Sequence, residues 1–252
     1  MIEMDRNILC FKRKDVWFAD EPFDVKGFHQ VTFHYCSKFV SLSGFQMSQS
    51  STLGIDLTQD LKMIWENLNA TTQYEITKAQ KLGFIVTRNQ GYQEFMELNR
   101  RFRKNKGLHS FEVSIDEMKR CGVLFEFFDG KIMQGGQFYL QDNTTMRLSL
   151  SVSRRLEIEK DLNKFMGYGN RLLVWEAICY AKETGKTFFD LGGYSLIEDD
   201  PQIKGINQFK KGFSNNICKR YRYVKTYSKV YQLARYIVDS FRAIVSSIFG
   251  KA

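Results

Sequence analysis

Apolar and polar positions alternate in short runs over the first forty residues, in "VWFADEPFD" and again in "HQVTFHYC". That period of two is the pattern of half-buried strands. The segment "TLGIDLTQDLKMIWENLNATTQYEITKAQKLGFIV" predicts strand, helix, strand, with Asp56 or Thr58 capping the helix and Gly83 marking its end. In "GYQEFMELNRRFRKNK" the residues Phe95, Leu98 and Phe102 fall on one helical stripe, and "SIDEMKRCG" predicts a shorter second helix. A three-strand meander follows. "VLFEFFDG" turns at Asp129-Gly130 into "KIMQGGQFYLQD", which turns at Asp142-Asn143 into "TMRLSLSVSRR". Beyond "EIEKDLNKFMGYGN", the run "RLLVWEAICYAKETG" predicts a strongly apolar helix closed by Gly185. The strand "KTFFDLGG" stops on Gly192-Gly193, and "CKRYRYVKTYS" predicts a further strand before a helix.

An apolar helix that crosses between two strands makes them parallel neighbours and buries itself on the sheet. The pattern therefore predicts a mixed α/β layer that splays where the meander meets "TFFDLGG". Backbone groups at such a split lack ladder partners, which makes it a natural place for a ligand.

Composition narrows the setting. With 252 residues, 43% hydrophobic and only two prolines, the chain has material for one large core or two small ones and no flexible linker. The five cysteines (Cys10, Cys36, Cys121, Cys179, Cys218) are scattered and form no C-x-x-C pair, which suits a reduced, cytoplasmic chain. No export signal is visible, and no apolar run reaches the roughly 18–20 residues of a membrane span. The net charge of +9 is uneven: from Lys204 onward eleven Lys/Arg stand against one acid, Asp239. The basic character belongs to that segment, so a general nucleic-acid-binding role for the whole chain loses force.

Within that segment Val230, Leu233, Ala234, Ile237, Val238, Phe241, Ile244, Val245, Ile248 and Phe249 form a helical stripe, with Lys229, Arg235 and Arg242 off it. Three settings fit the stripe: the protein's own core, a second subunit in a homodimer, or an anionic membrane surface.

The succession "DGKIMQGGQFYL", "RLSLSVS", "LLVWEAICYAKETGKTFFDLGG", "GINQFKKGF" resembles the acyltransferase half of the Fem family, the peptidoglycan-bridge aminoacyltransferases and their relatives, which share the GNAT acyltransferase fold. The upstream "IDLTQDLKMIWENLNATTQYEITKAQKLGFIV" is similar to that family's preceding segment. The resemblance spans roughly residues 50–225 and is most specific in Asp-x-Gly-Gly combined with Phe-Lys-x-x-Phe. It implies a GNAT-type α/β fold with a mixed, mostly antiparallel sheet flanked by helices. The implied division is 1–88 as a reduced N-terminal GNAT-like half, 89–228 as the acyltransferase domain and 229–252 as a basic amphipathic helix. Typical Fem proteins are longer, with two GNAT-like halves and often a coiled-coil arm. The shortened first half leans the expected co-substrate from aminoacyl-tRNA towards acyl-CoA or a carrier-protein thioester, with no bound cofactor. The implied acceptor is an amine of an amino-sugar or peptidoglycan precursor, lipid-linked or not, met in the cytoplasm or at the inner face of the membrane.

Such transfer needs a deprotonated amine, stabilisation of an oxyanion and a holder for the donor's phosphates. It needs no covalent nucleophile, and no G-x-S-x-G elbow occurs. Lys210, flanked by Phe209 and close to Phe213, is the leading catalytic candidate; the resemblance gives it carbonyl polarisation or donor binding, against a plain solvated lysine. Asp190 is either a base or a structural acceptor at a strand end. Gly192 and Gly193 allow a sharp turn or close approach, and with Tyr194, Phe209 and Lys211 would border the substrate. Gly167 and Gly169, placed before a helix, would offer free N–H groups to a donor pyrophosphate, unless Asn170 simply caps that helix. Ser153, Arg154 and Arg155 suit anionic groups, or form a basic strand end balanced by Glu157 and Glu159. His29, His34 and His109 make no ligand set; His34 and Cys36 would share a strand face without a third ligand, so no metal is assigned.

Overall fold

The alternation at the start of the chain is realised as three strands, β1 (Ile2–Ile8), β2 (Phe11–Trp17) and β3 (Gln30–Cys36). The computed structural model describes residues 1–108, 113–130, 132–159 and 163–249, and divides them into two units. One unit joins the residues of 1–50 to those from Lys219 onward, and the other is continuous from Ser51 to Cys218. These units are drawn otherwise than at the expected boundaries of 88 and 228, because strand pairing and not chain order defines them.

In the first unit β1 and β2 form an antiparallel hairpin, β2 and β3 run parallel, and β3 pairs antiparallel with β10 (Ile217–Thr226). Val16, Val31, Phe33, Cys36 and Tyr223 make its core. The expected sharing of a face by His34 and Cys36 does not occur. Tyr35 sits at φ +67°, which breaks the alternation, so Cys36 enters the core while His34 faces Asp15 on the other side. His109 lies outside the described residues. The unit closes with the helix α7 (Lys229–Phe249).

The second unit begins within β4 (Gln46–Asp56). The helix expected after it is two helices, α1 (Leu61–Glu66) and α2 (Ala70–Lys81). Neither Asp56 nor Thr58 caps them. Asp56 Oδ1 accepts from the Thr58 N–H and hydroxyl in the turn after β4, and Asn69 caps α2 by accepting from Thr72 N–H at 2.8 Å. An Asn at that position breaks the run, since its side chain completes an N-terminus better than it continues a helix. Gly83 ends α2 at φ +73°, as expected.

Then come β5 (Ile85–Arg88), α3 (Tyr92–Asn105), α4 (Ile115–Cys121) and the meander β6 (Gly122–Asp129), β7 (Ile132–Gln141), β8 (Thr145–Ser153). The crossover helix α5 (Asn163–Glu183) leads to β9 (Phe188–Tyr194), followed by α6 (Pro201–Lys211). The sheet order in this unit is β4-β9-β8-β7-β6-β5, antiparallel except for β8 and β9. Leu172, Leu173, Val174, Ala177, Ile178 and Ala181 of α5 are buried with Phe125, Phe127, Tyr139 and Phe189 of the sheet.

Two local expectations are corrected. The helix does not start after Gly167 and Gly169; both lie inside α5, so their N–H groups are taken up by intrahelical bonding. Gly169 is there for close packing, because a Cβ would sit 2.3 Å from the Phe127 ring. Asn170 is likewise interior to the helix and not its cap. Nor does β9 stop on its glycines. Gly193 pairs with Thr52 and Tyr194 with Ser51, and the register slips between Thr52 and Gly54, so the pair forms a bulge within the strand, with Gly192 at φ +81°.

Candidate functional site

The expected splay is present. β8 and β9 pair only at Thr145/Phe188, Met146/Phe189 and Arg147/Asp190. Beyond that point β8 stays with β7 as far as Ser153, while β9 stays with β4 as far as Tyr194. The split therefore opens just after Arg147 and Asp190.

Lys210 reaches this split from the last turn of α6. Asp200 starts the helix by accepting from Gln202 N–H at 2.7 Å, with Pro201 in its first turn. Asn207 ties it to the preceding loop by donating to Ser195 O at 2.7 Å and to Glu198 Oε1 at 2.8 Å. Phe209 and Phe213 pack together at 5.6 Å on the core cluster, and Arg171 lies over the Phe209 ring. With its neighbours anchored, Lys210 is only 9% exposed, and its Nζ donates to Gly193 O at 2.5 Å. The bulge presents that carbonyl.

Asp190 has no exposed surface and accepts from Gly192 N–H at 2.7 Å, which braces the bulge from below. Arg147 Nε lies 3.5 Å from its carboxylate. Burial pushes the Lys210 ammonium down to about 8; nearby Arg147 adds to the depression and Asp190 opposes it. A Cβ on Gly192 would lie 3.0 Å from Leu148 O and 3.6 Å from Lys210 Nζ, so glycine keeps this approach open.

The structure thus brings together Lys210, Asp190, Gly192 and Gly193. Lys211 points elsewhere, to Tyr194, whose hydrogen bond raises its pKa, and to Glu198 at 3.5 Å. Ser153, Arg154 and Arg155 are not part of the cluster. They lie at or beyond the end of β8, six residues on from Arg147, about 20 Å at the rise of a strand. Arg154 donates to Met133 O and Glu157, and Arg155 lies over the Phe102 ring. Gly167, Gly169 and Asn170 belong to the helix packing described above; the Asn170 carbonyl accepts from Gln137.

Arg147 and Asn207 are the members that sequence reasoning missed. The one available signal for Arg147 was a lone cation in the first half of an otherwise apolar and hydroxylic strand, "TMRLSLSVS".

No family description and no curated protein matches this sequence. Likeness appears at the level of structure. The chain is similar to FemX, with a TM-score of 0.64 and 12% identity over 92% of this chain and 85% of that one. It is also similar to the C-terminal domain of a putative lysylphosphatidylglycerol synthetase from Agrobacterium fabrum, with a TM-score of 0.55 and 15% identity over 86% and 72% of the two chains. A conserved protein from Bacteroides thetaiotaomicron gives 0.53 and 11% over 79% and 70%. The fold is therefore an α/β fold like that of FemX, with a mixed sheet flanked by helices, as the motifs implied.

Proposed function

We propose that the chain is an N-acyltransferase that moves an acyl group from a thioester, on CoA or a carrier protein, to an amine of a cell-envelope glycan or peptidoglycan precursor. The observation that supports this is the buried Lys210 at the opening of the sheet, braced by the bulge and by the Arg147–Asp190 pair. A neutral amine of the acceptor attacks the thioester carbonyl, the oxygen gains negative charge, the C–S bond breaks and the thiol departs with a proton. An ammonium held in a low-dielectric setting stabilises that oxyanion more than a solvated one does. In this reading Asp190 positions Gly192 and Arg147 and does not remove the proton, because it is fully buried and already accepts from the backbone. The loop carrying Leu196 and Ile197, both largely exposed, borders the acceptor.

An aminoacyl ester on tRNA is the alternative donor; the cations of β10 and α7 suit RNA phosphates too. The acceptor at a lipid surface finds support in the name of one similar structure, a lysylphosphatidylglycerol synthetase. It finds more in α7, where Tyr231 is buried against Phe11 while Val230, Leu233, Tyr236 and Ile237 are exposed, beside Arg235. That arrangement supports an anionic membrane as the cover of the stripe over the protein's own core. No helix among the described residues is long and apolar enough to cross a membrane.

The test is direct. The purified chain is incubated with an amino-sugar-containing precursor and either acyl-CoA or aminoacyl-tRNA, and the acceptor is weighed by mass spectrometry. An acyl-dependent mass gain that Lys210→Met abolishes is the expected result. No gain with either donor, in a protein that folds, sinks the proposal.

A further inference from the structure

The face of the first unit's sheet opposite Val16 and Phe33, against which Tyr231 of α7 packs through Phe11, carries a second constellation, unrelated to Lys210. The strand registers put Arg6 directly opposite Arg13, Met4 opposite Asp15 and, on the other side, Asp15 opposite Thr32. These residues therefore project from one face of the β1-β2-β3-β10 sheet. Like charges directly opposite each other in an antiparallel pair are destabilising. Asp15 answers only part of this, since its carboxylate is engaged by Arg6 Nε at 3.0 Å and His34 Nε2 at 2.8 Å.

Three groups on this face suit an anion. Arg13 Nε is buried without a hydrogen-bond partner. Thr32 is 1% exposed and its hydroxyl also has none. Arg222 of β10 stands close enough to feel Asp15, Arg13 and Arg235: burial depresses its guanidinium, Asp15 offsets part of that, and the two arginines add to the depression. A buried hydroxyl with no partner costs free energy comparable to a lost hydrogen bond, and guanidinium groups on two strands match an anion with several oxygens.

We propose that this face of the first unit binds a phosphate group, with the guanidinium groups of Arg13 and Arg222 and the hydroxyl of Thr32 as its ligands. Guanidinium forks favour phosphate over halide because they meet two oxygens at once. The phosphate is either that of an anionic lipid headgroup or that of a soluble phosphorylated molecule. The site stands independently of the acyl-transfer reading, since none of its residues belongs to the Lys210 cluster.

Titration calorimetry with inorganic phosphate tests it. The wild-type protein is expected to bind saturably. Thr32→Val, which removes a buried hydroxyl that bonds nothing in the fold, should hold or raise the melting temperature of the free protein and weaken phosphate about tenfold, the worth of one hydrogen bond to a charged group. Arg13→Gln should weaken it more and Arg13→Lys less. Absence of saturable binding, or equal affinity in wild type, Thr32→Val and Arg13→Gln, overturns the proposal. Competition then identifies the source. Displacement by phosphatidylglycerol vesicles and not by phosphatidylcholine vesicles assigns the lipid headgroup; displacement by glycerol 3-phosphate alone assigns a soluble ligand.

Discussion

Replacing Lys210 with methionine removes a buried ammonium while keeping most of its volume. The depression of its pKa from 10.5 to about 8 corresponds to about 3 kcal/mol that folding spends on keeping the side chain charged. The direction follows from linkage. Between those two values the unfolded chain holds a proton that the folded chain has released, so wild-type stability rises as pH climbs from 8 towards 10.5 and falls as pH drops through 8. The variant lacks this dependence. Urea unfolding of both proteins at about pH 7 and about pH 10 should therefore show their stability difference moving by roughly 2–3 kcal/mol in favour of the wild type at high pH. The part of the hydrogen bond to Gly193 O that the neutral amine also makes is common to both pH values and cancels in that comparison, while its charge-assisted part is already contained in the folded pKa. Turnover of the variant should drop about a hundredfold or more, the usual cost of one oxyanion donor. A stability difference that stays flat across this range refutes the buried-ammonium reasoning, and full turnover in the variant refutes its role in chemistry.

Four further outcomes follow from the same geometry. Gly192→Ala forces φ +81° on a residue with a Cβ 3.0 Å from Leu148 O, so it should cost about 1–3 kcal/mol in urea unfolding and lower kcat more than it raises KM. Gly169→Ala drives a Cβ into the Phe127 ring and should lower the melting temperature by several degrees without a specific effect on substrate affinity. Asn69→Ala removes the cap of α2 and should cost about 1 kcal/mol, read from the same unfolding curves. Leu233→Glu with Ile237→Glu, both at exposed positions, should leave folding intact and release the protein from phosphatidylglycerol vesicles in co-sedimentation; retained binding removes the membrane reading of α7.

The meander was legible because Asp-Gly and Asp-Asn turns flank alternating apolar runs, and a local pattern of that kind determines a local structure. The splay was legible for a topological reason: an apolar helix between two strands implies a parallel pair. What failed were features in which a local signal has two meanings. Gly-Gly at the end of "FFDLGG" reads as a stop, yet cross-strand pairing with Ser51 and Thr52 carries β9 through it as a bulge. Gly-Tyr-Gly reads as the start of a helix, yet Phe127 on the sheet makes Gly169 a packing requirement inside one. Arg147 was invisible for another reason. Its partner Asp190 is forty-three residues away, and only the parallel register across α5 brings the two together.

The interleaved make-up of the first unit has a consequence for how the chain comes off the ribosome. Residues 51–218 are continuous and can condense as soon as they have emerged. Strand β3, by contrast, must wait for β10, since Thr32 pairs with Val224 and Phe33 with Tyr223. Until then its apolar face, with Val31 and Phe33, has no permanent neighbour on that side. Closing so long a loop adds little to the equilibrium cost but slows formation of the pairing. Strands β1, β2 and β3, although made before residues 51–218, are thus among the last elements to find their place. Their exposed strand edge during that interval is where chaperone binding, or aggregation in its absence, is to be looked for.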